Sequence, residues 1–254
     1  MRPARRYGMS LVLVAAALGA WELAVRALRV PAYLLPAPSA VAADFHADGA
    51  LLASNTWVTL REIALGFLLA LVSGLAIALL LHASATLRRA LYPILIASQT
   101  VPVVVLAPVL VVLLGFDLAP KLAIVALICF FPIVVNGVDG LRSVDDELKR
   151  MMRTLDASRW SIFRRVELPA ALPLIFSGTR VAATYAAIGA VFGEWSGSNA
   201  GLGYVMLQAT PNLETARIFA AVVLLSVISV VLFALVSLVE RIAIPWAHQP
   251  EGLP

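Results

Sequence analysis

Six stretches of this chain, at residues 7–28, 57–82, 92–116, 119–141, 172–195 and 216–239, each run for more than twenty residues with no more than two charged side chains. A helix needs roughly 20 apolar residues to cross the hydrocarbon of a bilayer. No water there can satisfy exposed backbone groups, so only helices and closed barrels span it. With 61% hydrophobic and 13% charged residues, the chain lacks the polar skin that a soluble domain of this length requires. The expectation is an all-α integral membrane protein with about six transmembrane helices in a single domain over residues 1–254.

Arg2, Arg5 and Arg6 precede the first stretch. A cleaved signal peptide has an apolar region of about 7–15 residues. This one is longer and ends in Arg26 and Arg29, which predicts an uncleaved span. Pro31, Pro36 and Pro38 then open a polar segment reaching Asn55, with a helical portion near residues 39–45. Lys and Arg crowd the loops on one side: Arg88, Arg89, Arg142, Lys149, Arg150, Arg153, Arg159, Arg164, Arg165 and Arg241 join the N-terminal arginines. The positive-inside rule makes that side, and both termini, cytoplasmic. It also accounts for the net charge of +4 without nucleic acid as a partner.

Metal and thiol chemistry find no support. Cys129 is the only cysteine, so it forms no internal disulfide and reads as a small apolar packing residue. His46, His82 and His248 lie far apart and form no ligand spacing.

Within the apolar stretches, Pro93, Pro102, Pro108 and Pro132 cannot donate backbone hydrogen bonds. Such breaks survive at membrane depth beside other helices or a cavity, so they either line a pathway or serve packing. Gly66, Ala70 and Gly74 form a ridge of small residues that allows close helix approach, within the chain or between two copies.

One loop is unlike a linker. Residues 142–170 begin with Asp145, Asp146 and Glu147, acids suited to a helix start. Met151, Met152 and Leu155, then Trp160, Phe163 and Val166, give two short segments apolar faces at helical spacing. Asp156-Ala157-Ser158 supplies a turn between them. The pattern predicts a two-helix knob able to dock into a partner. A surface helix lying on lipid headgroups is the other reading.

This loop resembles that of the permease subunits of bacterial binding-protein-dependent ABC importers, which carry the motif EAA-x3-G-x9-I-x-LP. Set on Leu168-Pro169, Val166 takes the Ile place, Asp156 the Gly place, and Arg150, Met151 and Met152 the EAA triplet. The triplet is unmatched, while RTLDASRWSIFRRVELPAALP keeps the family form. Glycine at the turn allows a left-handed backbone, and Asp is among the few other residues that visit it. The resemblance runs from about residue 55 to 246. Within the family, the segments ICFFPIVVNGVDGLRSVD and ATYAAIGAVFGEWSGSNAGLGYVMLQA look more like importers of the thiamine pyrimidine precursor and riboflavin than like the nitrate, sulfonate and taurine branch.

The resemblance implies a type I importer permease in the bacterial inner membrane, acting as a homodimer with an ATPase subunit and an extracytoplasmic substrate-binding protein. Arg153, Thr154, Leu155, Asp156, Ala157, Ser158, Arg159, Trp160 and Phe163 would couple to the ATPase. No GxxxxGK[ST] phosphate loop occurs, so ATP would be bound by the partner and this chain would hold no cofactor.

Gln99, Thr100 and Pro102, with Asn136, Tyr185, Glu194 and Trp195, are candidates for the substrate path, where Phe192 and Tyr204 could stack on a flat heterocycle. For Gln99, Thr100 and Asn136 the structural alternative is hydrogen bonding between helices. For Glu194 and Trp195 it is snorkelling and anchoring at the interface. Arg180, inside a span, must face the protein interior or reach back to the interface. The rival classes are weaker. An intramembrane enzyme needs paired ionisable groups at one depth, and no His lies deep in a span. Secondary carriers often carry internal repeats, and none is visible. ATP dependence separates a carrier or channel from an importer.

Overall fold

The computed structural model describes residues 3–248, with the side chains of residues 3–8, 10, 11 and 248 left undescribed. Arg2 lies outside the described residues, as do the side chains of Arg5 and Arg6. The described chain is helical throughout: α1 (Pro3–Ala27), α2 (Pro38–Ala47), α3 (Gly49–Ala83), α4 (Ala85–Ser98), α5 (Val103–Leu114), α6 (Leu118–Arg142), α7 (Asp146–Thr154), α8 (Arg159–Ile162), α9 (Leu168–Trp195), α10 (Leu202–Ala209) and α11 (Thr215–Ala243). Four membrane-length apolar helices occur among the described residues, at α3, α6, the α8–α9 run and α11. The α4–α5 pair makes a fifth if it is one span. The remaining expected stretch, residues 7–28, falls in the 25-residue α1 except for Leu28, which follows its end.

Two expectations change. Residues 92–116 do not form one continuous helix: α4 and α5 meet at a bend of 100°. Pro102 has ψ 118 and lacks an N–H, and a proline disfavours helical backbone at the residue before it, here Val101. The carbonyls freed at the bend are met locally, Ser98 Oγ donating to the Leu95 carbonyl at 2.7 Å and Thr100 Oγ1 to that of Ala97 at 2.8 Å. The polar segment expected through Asn55 is also shorter, because α3 begins at Gly49 and runs 35 residues. At 1.5 Å per residue that is about 52 Å, well beyond the roughly 30 Å hydrocarbon core.

The chain forms two compact units. The first takes the residues up to Val58 together with Ala200–Leu225. Val41, Leu52, Val205 and Ala220 form its apolar centre, with Phe45 and Phe219 packed on it. Trp21 lies 5.6 Å from the Phe219 ring. Arg217 pairs with Asp48 and Glu214, and Asn55 Oδ1 accepts the Gly201 N–H at 2.7 Å.

The second unit, Thr59–Asn199 with the chain from Ser226 onward, is built around α6. Small residues let its neighbours approach closely. A Cβ on Gly66 would stand 2.5 Å from Val125 Cβ, and one on Gly74 2.9 Å from Ile133 Cγ2. The Gly66, Ala70, Gly74 ridge therefore packs α3 against α6 inside one chain. These contacts advance in step along both helices, so α3 and α6 run parallel. Gly178 meets Asn136, Gly189 meets Val125 and Gly193 meets Lys121. Here a step forward on α9 is a step back on α6, so the pair is antiparallel.

Candidate functional site

The loop at residues 142–170 folds as a knob at one end of the second unit. Asp145 caps α7, its carboxylate accepting the Glu147 N–H at 2.8 Å, which satisfies one of the donors a helix start leaves open. Lys149 lies 2.8 Å from Asp146, and its hydrogen bond and charge hold the Asp146 carboxyl below its ordinary value. α7 closes on Asp156 at φ 57, where the Ala157 N–H reaches back to the Met152 carbonyl at 3.0 Å. This is a left-handed C-terminal cap, formed here without glycine. Ser158 then starts α8 by accepting the Ser161 N–H at 3.2 Å.

Five residues of wider π helix, Phe163–Glu167, carry α8 directly into α9. The knob is thus an extension of a spanning helix. Trp160 stacks on Phe163 with ring centroids 5.5 Å apart. Trp160 is 67% exposed, Leu155 72% and Met151 60%, so half of the predicted apolar face is open, while Met152, Phe163 and Val166 are half-buried. Glu167 fastens the knob to the end of α3, with His82 Nε2 at 2.9 Å and Lys149 Nζ at 3.9 Å. Between the knob and the ends of α3, α4 and α6 opens a cleft of about 1220 Å³.

At the opposite end of α9 lies a buried polar cluster that the sequence did not announce. Lys121 Nζ donates to Glu62 Oε1 at 2.9 Å and to Ser198 Oγ at 2.7 Å. Thr59 Oγ1 donates to Glu194 Oε1 at 2.6 Å. Glu62 and Glu194 are 1% and 0% exposed. Thr59 and Glu62 come from α3, Lys121 from α6 and Glu194 from α9, so the cluster ties three helices. Glu194 does not snorkel: Gly193 lies against the Lys121 backbone, which seats the next residue inside the packing. The signal that could have found the cluster is the small-residue ridge, since one turn before Gly66 the same register sets Glu62 across from Lys121.

Arg180, whose partner the sequence left open, pairs with Glu240 of α11 at 2.7 Å. The other expected path residues occupy separate settings. Gln99 and Thr100 are exposed at the α4–α5 bend. Asn136 sits where α6 crosses Gly178, its amide donating to the Pro132 carbonyl of its own helix at 2.9 Å. Tyr204 lines a pocket of about 200 Å³ in the first unit, with Asn55, Gln208 and Arg217. Trp195 meets the Phe192 ring edge-on at 5.8 Å. Leu174, Val181, Thr184, Tyr185, Ile188 and Trp195 are all exposed, one open stripe at helical spacing on α9. Cys129 is buried against the Ala182 carbonyl. No group of three or more metal-ligating side chains occurs among the described residues.

Residues 63–245 match the family described as the binding-protein-dependent transport system inner membrane component. The chain is 36% identical over 227 residues to the formylaminopyrimidine transport permease protein ThiX of Halalkalibacterium halodurans, covering 89% of this chain and 90% of that one. It is 37% identical over 228 residues to the riboflavin transport system permease protein RibX of Chloroflexus aurantiacus, covering 89% and 85%. In fold it resembles a chain of the inward-facing MetNI methionine ABC transporter, with a TM-score of 0.64, 21% identity, and coverage of 75% of this chain and 95% of that one.

Proposed function

The chain belongs to the family of binding-protein-dependent transport system inner membrane components, and on that premise we propose that it forms the path by which an ABC importer moves a small heterocycle, a pyrimidine precursor of thiamine or a related vitamin, into the cell. The observation that carries the coupling half of this reading is the knob. Half of its apolar face is open, its left-handed turn is formed at Asp156, and it continues without a break into α9. A partner that moves the knob therefore moves a membrane helix.

The partner is a separate ATPase subunit, docked through residues 153–160 and Phe163 on the cytoplasmic side, where both termini also lie. A second copy of this chain covers the open stripe of α9, and Tyr185 and Trp195 then face the path. An extracytoplasmic binding protein delivers the solute. Closure of the ATPase around ATP favours one state of the dimer, as any such shift requires a differential affinity. The nitrate, sulfonate and taurine branch is the second reading of the substrate, and the likeness to pyrimidine and riboflavin permeases favours the first.

The test is uptake in liposomes holding this chain, its ATPase and its binding protein. ATP-dependent uptake of labelled formylaminopyrimidine, competed by the unlabelled compound and not by taurine, is the expected result. Competition by taurine alone moves the substrate to the other branch. Uptake by this chain alone, without ATP, overturns the importer reading. Replacing Trp160 and Phe163 together by Asp should leave ATP hydrolysis and abolish uptake, and normal uptake would refute the coupling role.

A further inference from the structure

The cleft beside the knob carries an excess of positive charge, six Arg and Lys against three acids among the described residues that line it. Arg88 at the start of α4, Arg142 at the end of α6, Arg150 and Arg153 on α7 and Arg159 on α8 all line it. None of these five arginines is in an ion pair with a described residue. The cleft's own acids offset only part of that charge: Asp146 and Glu167 lie against Lys149, Asp146 also feels the charges of Arg150 and Arg142, and Asp145 caps α7 while keeping its charge, which leaves three acids against six Arg and Lys. Arg150 also stands at the first place of the EAA triplet, where the family motif has glutamate, so the charge offered there is of opposite sign.

Size and lining decide what fits. A cleft of about 1220 Å³ exceeds the roughly 300–1,000 Å³ of small-molecule pockets, which favours a polypeptide segment. Its lining includes exposed Trp160 beside the arginines, and aromatic residues and Arg are types enriched at protein interfaces. The cleft is continuous with the face by which the knob docks.

We infer that the cleft receives a carboxylate-bearing segment of the ATPase subunit, so that docking is held by arginine-to-carboxylate contacts in addition to the apolar face. This rests on the importer reading above. Guanidinium forks match carboxylates in bidentate geometry. Such contacts set partner choice, because an ATPase with a basic surface at that place would meet like charge. The arginines are thus a specificity device: they select which ATPase the permease accepts.

The experiment uses the tagged chain in its native membrane, solubilised gently, with the co-purifying ATPase identified by mass spectrometry through its phosphate-loop peptide. The variant reverses Arg150, Arg153 and Arg159 to Glu, all exposed positions at which folding is not at stake. Retention of the ATPase should fall about tenfold or more. Retention by the unaltered chain should also weaken between 0.15 and 1 M salt, as the screening length drops from about 8 to about 3 Å. Reversal of acids on the ATPase to Lys should restore binding of the variant.

Equal retention of the ATPase by the variant, or retention indifferent to salt, overturns this inference while leaving the importer reading intact. Absence of any ATPase from the unaltered chain overturns the importer reading itself. Phosphatidylglycerol is measured in the same preparations. If the variant loses that lipid yet keeps the ATPase, the cleft is a lipid site and the inference fails.

Discussion

Replacing Lys121 by Met keeps the side-chain stem that packs on Gly193 and removes the ammonium held by Glu62 and Ser198. Glu62 is then left with its charge uncompensated at 1% exposure. Breaking a buried pair from one side costs about 3–5 kcal/mol. For a chain of this length each kcal/mol moves the melting point by about 2–4 °C, so a fall of roughly 6–20 °C is expected. The double variant Lys121→Met with Glu62→Gln removes both charges and should recover most of the loss, with a coupling of about 2 kcal/mol in the cycle. The assay is tryptophan fluorescence of the solubilised chain, heated at one fixed scan rate because unfolding of such proteins is often governed by rate. A fall of less than about 3 °C for Lys121→Met, or single changes that add within about 0.5 kcal/mol, would refute the claim that this pair ties α3 to α6.

Three further outcomes are expected. Asp156→Val should weaken the turn by about 1–2 kcal/mol, since a β-branched residue resists a left-handed backbone, whereas Asp156→Gly should hold the ATPase as well or better; complex recovery compares them, and clear loss with Gly counts against the turn assignment. Gly178→Leu should cost about 1–3 kcal/mol or more by overpacking, because its Cβ would lie 2.5 Å from both Asn136 Cβ and the Pro132 carbonyl, while Gly19→Leu, with nothing within 4 Å, should melt like the parent. Because Lys149 lowers the Asp146 value, the contribution of that pair is present above the ordinary carboxylate value of about 3.9 and is lost as pH falls through the lowered one; Trp160 emission should thus stay flat from pH 8 to about 5, and a change within that window would point to another group.

The membrane class, the helical architecture and the family were legible because each rests on a local signal. Apolar length reports a span regardless of what surrounds it, and the loop motif reports its turn through residues adjacent in sequence. The left-handed backbone at Asp156 could be read for the same reason: residue type constrains φ where it stands. Legibility failed wherever the partner is distant in the chain. Nothing near Arg180 names Glu240 of α11, and nothing near Lys121 names Glu62 of α3. Glu194 read as an interfacial carboxylate because its neighbours Trp195 and the glycine-rich segment suggest an interface, yet Gly193 lets α9 close on α6 and buries it. Pro102 announced a break, but a proline fixes only that a helix is interrupted. How far the next helix turns away is decided by tertiary packing.

The glycines on both flanks of α6 have a mechanical consequence. They work as keyways: Gly66 and Gly74 on one side and Gly178, Gly189 and Gly193 on the other each admit one feature of α6, and a shift of less than a full turn of about 5.4 Å would drive backbone into a side chain. α3, α6 and α9 are therefore splined together, and a push on the knob cannot be dissipated by slippage between them. Flexing is left to joints without keyways, and the sharp elbow at residues 99–102, exposed and bonded locally through Ser98 and Thr100, is the natural place for it.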